Sequence, residues 1–257
     1  MFRNTSLLWP ALLTLLVSGC GGGGSGTAVV PMPIQSPPTP PSTGSTVVSS
    51  TDFNNPADPG GIAWTMSIVE YDGSLAQLDI IHFLVGFDPL PANVGTGNAL
   101  RISGTNPSAD LFMYLKRQVQ NLEPSTRYGI SWEIEIASNR DSGCVGAGSA
   151  PGESVYIVAG VTEFEPEPIF AGMLVLNIDK GNAGIAGTDV LVLGDIATQQ
   201  TDCVDDVYER KILTSAGQSF DVFSNADGEL WLIVGIDSSY EGRTDIFIIR
   251  IEATFSG

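Results

Sequence analysis

Hydrophobic and polar residues alternate along most of the chain beyond residue 52, and two runs are especially regular. In the first, Leu111, Met113, Leu115 and Val119 share one parity. In the second, Tyr128, Ile130, Trp132, Ile134 and Ile136 share one parity, with Ser131, Glu133 and Glu135 between them. Successive strand side chains point to opposite faces, so each run predicts a strand with one dry and one wet face. Residues 122–127, Leu-Glu-Pro-Ser-Thr-Arg, lie between the runs. Their proline fixes φ and removes a donor, which predicts a bend and an antiparallel pair. Further short runs fall at 62–68, 79–85, 99–103, 154–161, 173–178, 190–193, 207–213, 219–223, 230–234 and 245–255. Gly, Pro, Asn and Asp separate them. Strands at such spacing predict an all-β domain, a sandwich or barrel. No stretch keeps a helical spacing, and 207–213 is the most ambiguous.

The N-terminal part has a different texture. After Arg3, an apolar run from Leu7 to Val17 ends in Ser18-Gly19-Cys20. The run is too short to span a bilayer. This start resembles a bacterial lipoprotein signal peptide with its lipobox. The resemblance implies cleavage before Cys20, a diacylglycerol thioether on its sulfur and acylation of the new amine by a fatty chain such as palmitate. Gly21, rather than Asp, at the next position resembles lipoproteins sorted to the outer membrane. More than one acyl chain makes such an anchor in the lipid bilayer stable, at about 0.8 kcal/mol per buried CH₂. Residues 21–51 are rich in Gly and Ser first, then in Pro and Thr, and carry no charge. Such a segment cannot bury enough to fold and reads as a tether, coil-like and then polyproline-like, up to about 90 Å long. The expected division is 1–19 signal peptide, 20–51 lipidated cysteine and linker, and 52–257 one β-sandwich domain.

The chain holds 29 acidic and 11 basic residues, for a net charge of −18. No acid precedes Asp52 and Arg3 is the leader's one base, so the mature chain would stand at −19. Phosphate recognition needs clustered Lys and Arg, so nucleic acid and anionic headgroups are excluded as surface partners. Divalent cations, neutral ligands and basic partners fit such a surface.

Leu122, Pro124, Thr126 and Tyr128 form the pattern L-x-P-x-T-x-Y. It resembles the strand-turn-strand element of galactose-binding-like jelly rolls, which include many carbohydrate-binding modules. The run at 98–104 and the long closing run at 245–255 suit the same architecture. The resemblance implies an antiparallel, jelly-roll-like sandwich. Fibronectin-type sandwiches use the same corner, so it speaks for fold more than for function. Cys144 and Cys203 both fall in polar stretches, and an oxidising compartment favours a disulfide between them. Such a bridge would contribute about 4 kcal/mol in the chain-entropy model.

No Ser-His-Asp signature, P-loop or dinucleotide fingerprint occurs, so no catalytic residue is assigned. His82, the one histidine, sits among Ile80, Ile81, Phe83 and Leu84 and reads as a hydrogen-bonded strand residue. Three stretches concentrate carboxylates, amides and glycine: 139–154, 177–182 and 235–245. Asp179, Asn182, Asp237 and Glu241 offer oxygens suited to Ca²⁺. Trp231 or Tyr240 offers a stacking face for a glycan, with Asp237, Glu241 and Arg243 to bond its hydroxyls. Glu153 and Glu241 form the carboxylate pair that glycoside cleavage would need. Ordinary turn chemistry explains the same residues. The leading expectation is non-catalytic binding of a glycan or envelope component. A polysaccharide-acting enzyme and a structural envelope component are the alternatives.

Overall fold

The computed structural model describes residues 44–257, apart from 56 and 219. Cys20, the leader and most of the tether lie outside them. The unit Thr43–Gly257 is built of strands β1 Thr46–Asp52, β2 Thr65–Val69, β3 Leu84–Pro89, β4 Asn98–Thr105, β5 Leu111–Val119, β6 Arg127–Ser138 and β7 Val155–Thr162. The short strands β8 Pro168–Phe170, β9 Leu174–Leu176, β10 Gly181–Asn182 and β11 Ile185–Ala186 follow. Then come β12 Val190–Asp195, β13 Glu209–Thr214, β14 Phe220–Phe223, β15 Leu230–Ser238 and β16 Arg243–Ser256.

Two antiparallel sheets form the jelly-roll-like sandwich. One runs β12-β7-β15-β5-β2, and the other β13-β6-β16-β4-β3, with β1 added to β16 and β14 to β6. The parity read from the sequence is the parity that faces the core, but the expected wet face of β5 is buried as well, at Phe112 and Tyr114, because a second cluster covers it. Leu111, Met113, Leu115 and Val119 face the core, as do Tyr128, Ile130, Trp132, Ile134 and Ile136 from the other sheet. The long closing strand β16 spans its sheet because Ile246, Ile248, Ile251, Ala253 and Phe255 all point inward.

Strands β5 and β6 do not pair. β5 bonds to β15 and β2, whereas β6 bonds to β16, β13 and β14. The bend at 122–127 therefore carries the chain from one layer to the other. Two amphipathic strands satisfy their dry faces equally well side by side or face to face. The corner decides: the Glu123 N–H donates to the Tyr128 hydroxyl at 2.9 Å, and Ser224 Oγ donates to Glu123 O at 2.6 Å.

Three further expectations are corrected. The fold starts inside the expected linker, because 46–51 is β-branched or hydroxylated throughout and pairs with β16 from Thr46↔Ser256 to Asp52↔Arg250. The run at 79–85 is not a strand but the end of a helix, α1 Leu75–Ile81, and a turn before β3. Ser74 caps α1 by accepting from Gln77 N, and only Ile81 of its residues is buried. His82 is the left-handed C-cap, φ 46°, exposed and donating its N–H to Leu78 O. The run at 62–68 begins instead as a 3₁₀ turn, Pro59–Ala63, before β2.

The five-stranded sheet is covered on its outer face along part of its length. Residues 163–189 cross it as two small hairpins, β8–β9 and β10–β11. Leu176, Leu174 and Ile178 pack there on Phe112, Tyr114, Val158 and Ile233. At the far end of β15 Trp231 stays partly exposed.

Candidate functional site

Odd-numbered residues of β15 point to this outer face: Trp231, Ile233, Gly235 and Asp237. Trp231 lies in register with Thr162 on β7 and Gln118 on β5. Asp237 lies in register with Tyr156 and Phe112. Six residues of extended strand separate Trp231 from Asp237 by about 20 Å. One strand thus carries two distinct polar centres.

At the far end, Trp231 is partly exposed and flanked by planar polar groups. Gln118 Nε2 donates to Glu229 Oε2 at 3.0 Å, and Gln120 Nε2 donates to Glu229 Oε1 at 3.1 Å and to Gln118 Oε1 at 2.9 Å. Lys116 Nζ stands 5.7 Å from the indole centroid and is held by Glu165 at 2.6 Å and Pro166 O at 2.9 Å. The amide and carboxylate planes are fixed beside the ring without a ligand. An aromatic face ringed by oriented donors and acceptors is suited to a hydroxylated ring.

At the covered end, Asp237 is 2% exposed and sits with Glu70 and Asp110. The three offer carboxylate oxygens within 4.8 Å of one another. Lys180, from the crossing segment, supplies the counter-charge: Nζ is 2.7 Å from Glu70 Oε1 and 2.9 Å from Asp237 Oδ2. Asp237 also accepts the Ala183 N–H at 3.0 Å, and the Lys180 ammonium lies 4.9 Å from the Phe112 ring centroid. Burial raises the Glu70 carboxyl to about 7, with Lys180 pulling the other way. Burial likewise raises Asp237, again opposed by Lys180. For Lys180 itself, burial lowers the pKa, but Asp237 and Glu70 outweigh it and the net direction is up. Glu70 Oε2 is buried with no hydrogen-bond partner. The arrangement is a buried ionic clasp holding the crossing segment onto the sheet.

The four oxygens expected to bind Ca²⁺ are not gathered. Among the described residues Asp237 meets Glu70 and Asp110, not Asp179 or Glu241. Asp179 is exposed and accepts from Gly181 N, Thr188 N and Thr188 Oγ1, which hold its pKa below the usual carboxylate range. Asn182 is in the two-residue strand β10, beside the Ala183 amide that Asp237 accepts. Lys180 fills the place a cation would take at Asp237. These residues do not fit the ion.

Tyr240 and Glu241 lie in the loop that follows β15 and Arg243 begins β16, at the end away from Trp231 and beside residues 139–154. Glu241 N donates to Ala147 O at 3.0 Å. The Arg140 guanidinium lies 5.8 Å from the Tyr240 ring centroid, bonds Asp205 and donates to the Arg243 backbone carbonyl. Arg243 itself approaches Asp245 at 3.6 Å. The disulfide Cys144–Cys203 ties this end together, with Cα atoms 5.7 Å apart. Glu153 lines a concavity of about 330 Å³ with Asp195, Glu209 and Lys211; Glu241 is not among its walls. So the structure keeps Trp231, Asp237 and the Tyr240–Arg243 group at separate places.

Sequence reading missed Glu70, Asp110 and Lys180. One signal was available. Lys180 is the one basic residue between Arg140 and Arg210, amid many acids.

No family model matches the chain, and no curated protein matches it. Similar solved structures include a carbohydrate-binding module described for specific mannan recognition (TM-score 0.41, 10% identity, covering 82% of this chain and 98% of that one). Another is a family 11 carbohydrate-binding module of a cellulosomal cellulase of Clostridium thermocellum (0.33, 9%, 80% and 95%). A third is the K3 cleaved adhesin domain of Lys-gingipain from Porphyromonas gingivalis (0.33, 12%, 81% and 99%).

Proposed function

We propose that this chain is a lipid-anchored cell-envelope protein whose sandwich binds a glycan without cleaving it. The carrying observation is the Trp231 platform: a partly exposed indole on the outer sheet face, framed by Gln118, Gln120 and Glu229 already bonded to one another. Preorganised planar groups lose little entropy when they take up hydroxyls, and the ring supplies apolar area. The three converging carboxylates argue against cleavage at their own position. They are packed under the crossing segment, and Lys180 already bonds two of them. Cys20 is proposed as the lipid attachment from the lipobox pattern, and the outer membrane as the location from Gly21 at the next position. Asp237, Glu241, Arg243 and Tyr240 lie too far along the strand or beyond it to share the Trp231 ligand.

The test is titration calorimetry of the full-length protein, held in a non-glycosidic detergent, against a panel of soluble oligosaccharides. At least one is expected to bind, and Trp231→Ala is expected to weaken it about tenfold, the worth of one aromatic contact. If no oligosaccharide binds, or if Trp231→Ala binds as the parent does, the platform reading is wrong.

A further inference from the structure

A second concavity lies across the sandwich edge, where the end of β1 meets β3 and the turn before β4. It encloses about 330 Å³ and is lined by Phe53, Phe87, Asp52, Asn54, Asp58 and Asn98, with backbone from neighbouring residues. Phe87 is 50% exposed although its strand offers a polar-tolerant edge, and its ring lies 6.1 Å from Phe53 at 45°. Such tilted rings form a corner, one wall fixed in the core by Phe53 and one free at Phe87.

The polar walls are rigid. Asp58 accepts Asp52 N and Gly60 N, both at 2.7 Å, and Asp52 accepts Asn54 N at 2.9 Å. Phe53 N donates to Ile249 O at 2.9 Å. The site also needs one thin residue: a Cβ at Gly97, φ 98°, would fall 2.0 Å from Asn54 Oδ1. Asn54 Oδ1 is buried against Gly97 with no hydrogen-bond partner.

We infer that this concavity is a second, independent ligand site, and that it takes a single hydroxyl-bearing ring without acidic substituents. Size, faces and charge point the same way. The volume is at the low end of ligand pockets and suits one ring rather than a chain. The exposed Phe87 ring offers a stacking face, with the buried Phe53 behind it. Acceptors dominate the polar walls, and among the described residues lining it there is no Lys, Arg or His. Hydroxyl donors are matched, and a carboxylate or sulfate on the ring would meet Asp52 and Asp58 unpaired. This rests on the glycan reading only for the kind of ring chosen as a probe; the site itself shares no residue with the Trp231 platform.

Saturation-transfer NMR on the full-length protein, in non-glycosidic detergent, tests it with methyl β-glucopyranoside and methyl α-mannopyranoside against glucuronate. Saturation is expected at a neutral ring, with at least tenfold weaker binding of glucuronate. Phe87→Ala, a change on an exposed side chain, should weaken the neutral ring about tenfold, and Phe87→Trp should restore it. Trp231→Ala should leave the part of the signal that Phe87→Ala removes in place. The inference is overturned if neither neutral ring is saturated above the Phe87→Ala level, if glucuronate binds equally, or if Trp231→Ala abolishes the signal. The last outcome would assign the ring to the platform and leave the proposed function standing.

Discussion

Replacing Glu70 by glutamine should flatten the pH dependence of stability, and the sign follows from the clasp. Glu70 directly follows β2 with φ 69°, pairs one oxygen with Lys180 at 2.7 Å and leaves the other buried without a partner. Its carboxyl is raised from 4.5 to about 7, chiefly by burial. A raised acid binds its proton more tightly folded than unfolded. Above pH 7 the group is ionised in both states, and the folded state bears the full cost of burying that charge. As pH falls through 7, only the folded state takes up the proton, and stability rises. Below about 4.5 the unfolded chain is protonated too and the gain is complete. At about 1.4 kcal/mol per pH unit, the shift amounts to roughly 2 to 3 kcal/mol between pH 8 and pH 5. The glutamine side chain keeps the shape and removes the titration. The assay is chemical denaturation followed by tryptophan fluorescence, for parent and Glu70→Gln, from pH 5 to pH 8. Subtracting the two curves cancels the titrating groups that do not touch Glu70. The parent-minus-variant difference should fall by that amount as pH rises. A difference that does not vary with pH, or that grows with pH, would refute the clasp electrostatics.

Other perturbations probe the remaining joints. Lys180→Met should cost about 3–5 kcal/mol, because it strands the ionised Asp237, 2% exposed, without its counter-charge; Lys180→Met with Asp237→Asn should regain much of this in the same denaturation assay. Changing Cys144 and Cys203 together to Ser opens a loop of 59 residues of separation and should lower stability by about 4 kcal/mol, checked by thermal unfolding with and without reductant. Tyr128→Phe removes the acceptor for the Glu123 N–H and should cost about 1 kcal/mol, read as a lower denaturation midpoint at unchanged slope.

The alternating pattern was sufficient for the class of fold and for the orientation of its strands. A period of two sends alternate side chains to opposite faces, so Leu111, Met113, Leu115 and Val119, and Tyr128, Ile130, Trp132, Ile134 and Ile136, face the core together, whereas Phe112 and Tyr114 on the other parity are buried only because the crossing segment covers them. Loops rich in oxygen-bearing side chains, and two cysteines between them, were likewise legible, and the disulfide Cys144–Cys203 forms. What sequence could not carry was partnership. Backbone hydrogen bonds carry no residue identity, so whether β5 lies beside β6 or across the core from it was settled by the corner at Tyr128 and by long-range pairing with β15 and β16. The short helix α1 escaped notice because Ile81 alone of its residues needs burial. Charge pairing followed the same logic. Glu70, Asp110, Lys180 and Asp237 are scattered over the chain, and each alone reads as a surface turn residue. Folding the crossing segment onto the outer face of β5 and β15 removes water from all four. Only then do their charges have to answer one another, because attraction and desolvation both grow steeply once water is gone.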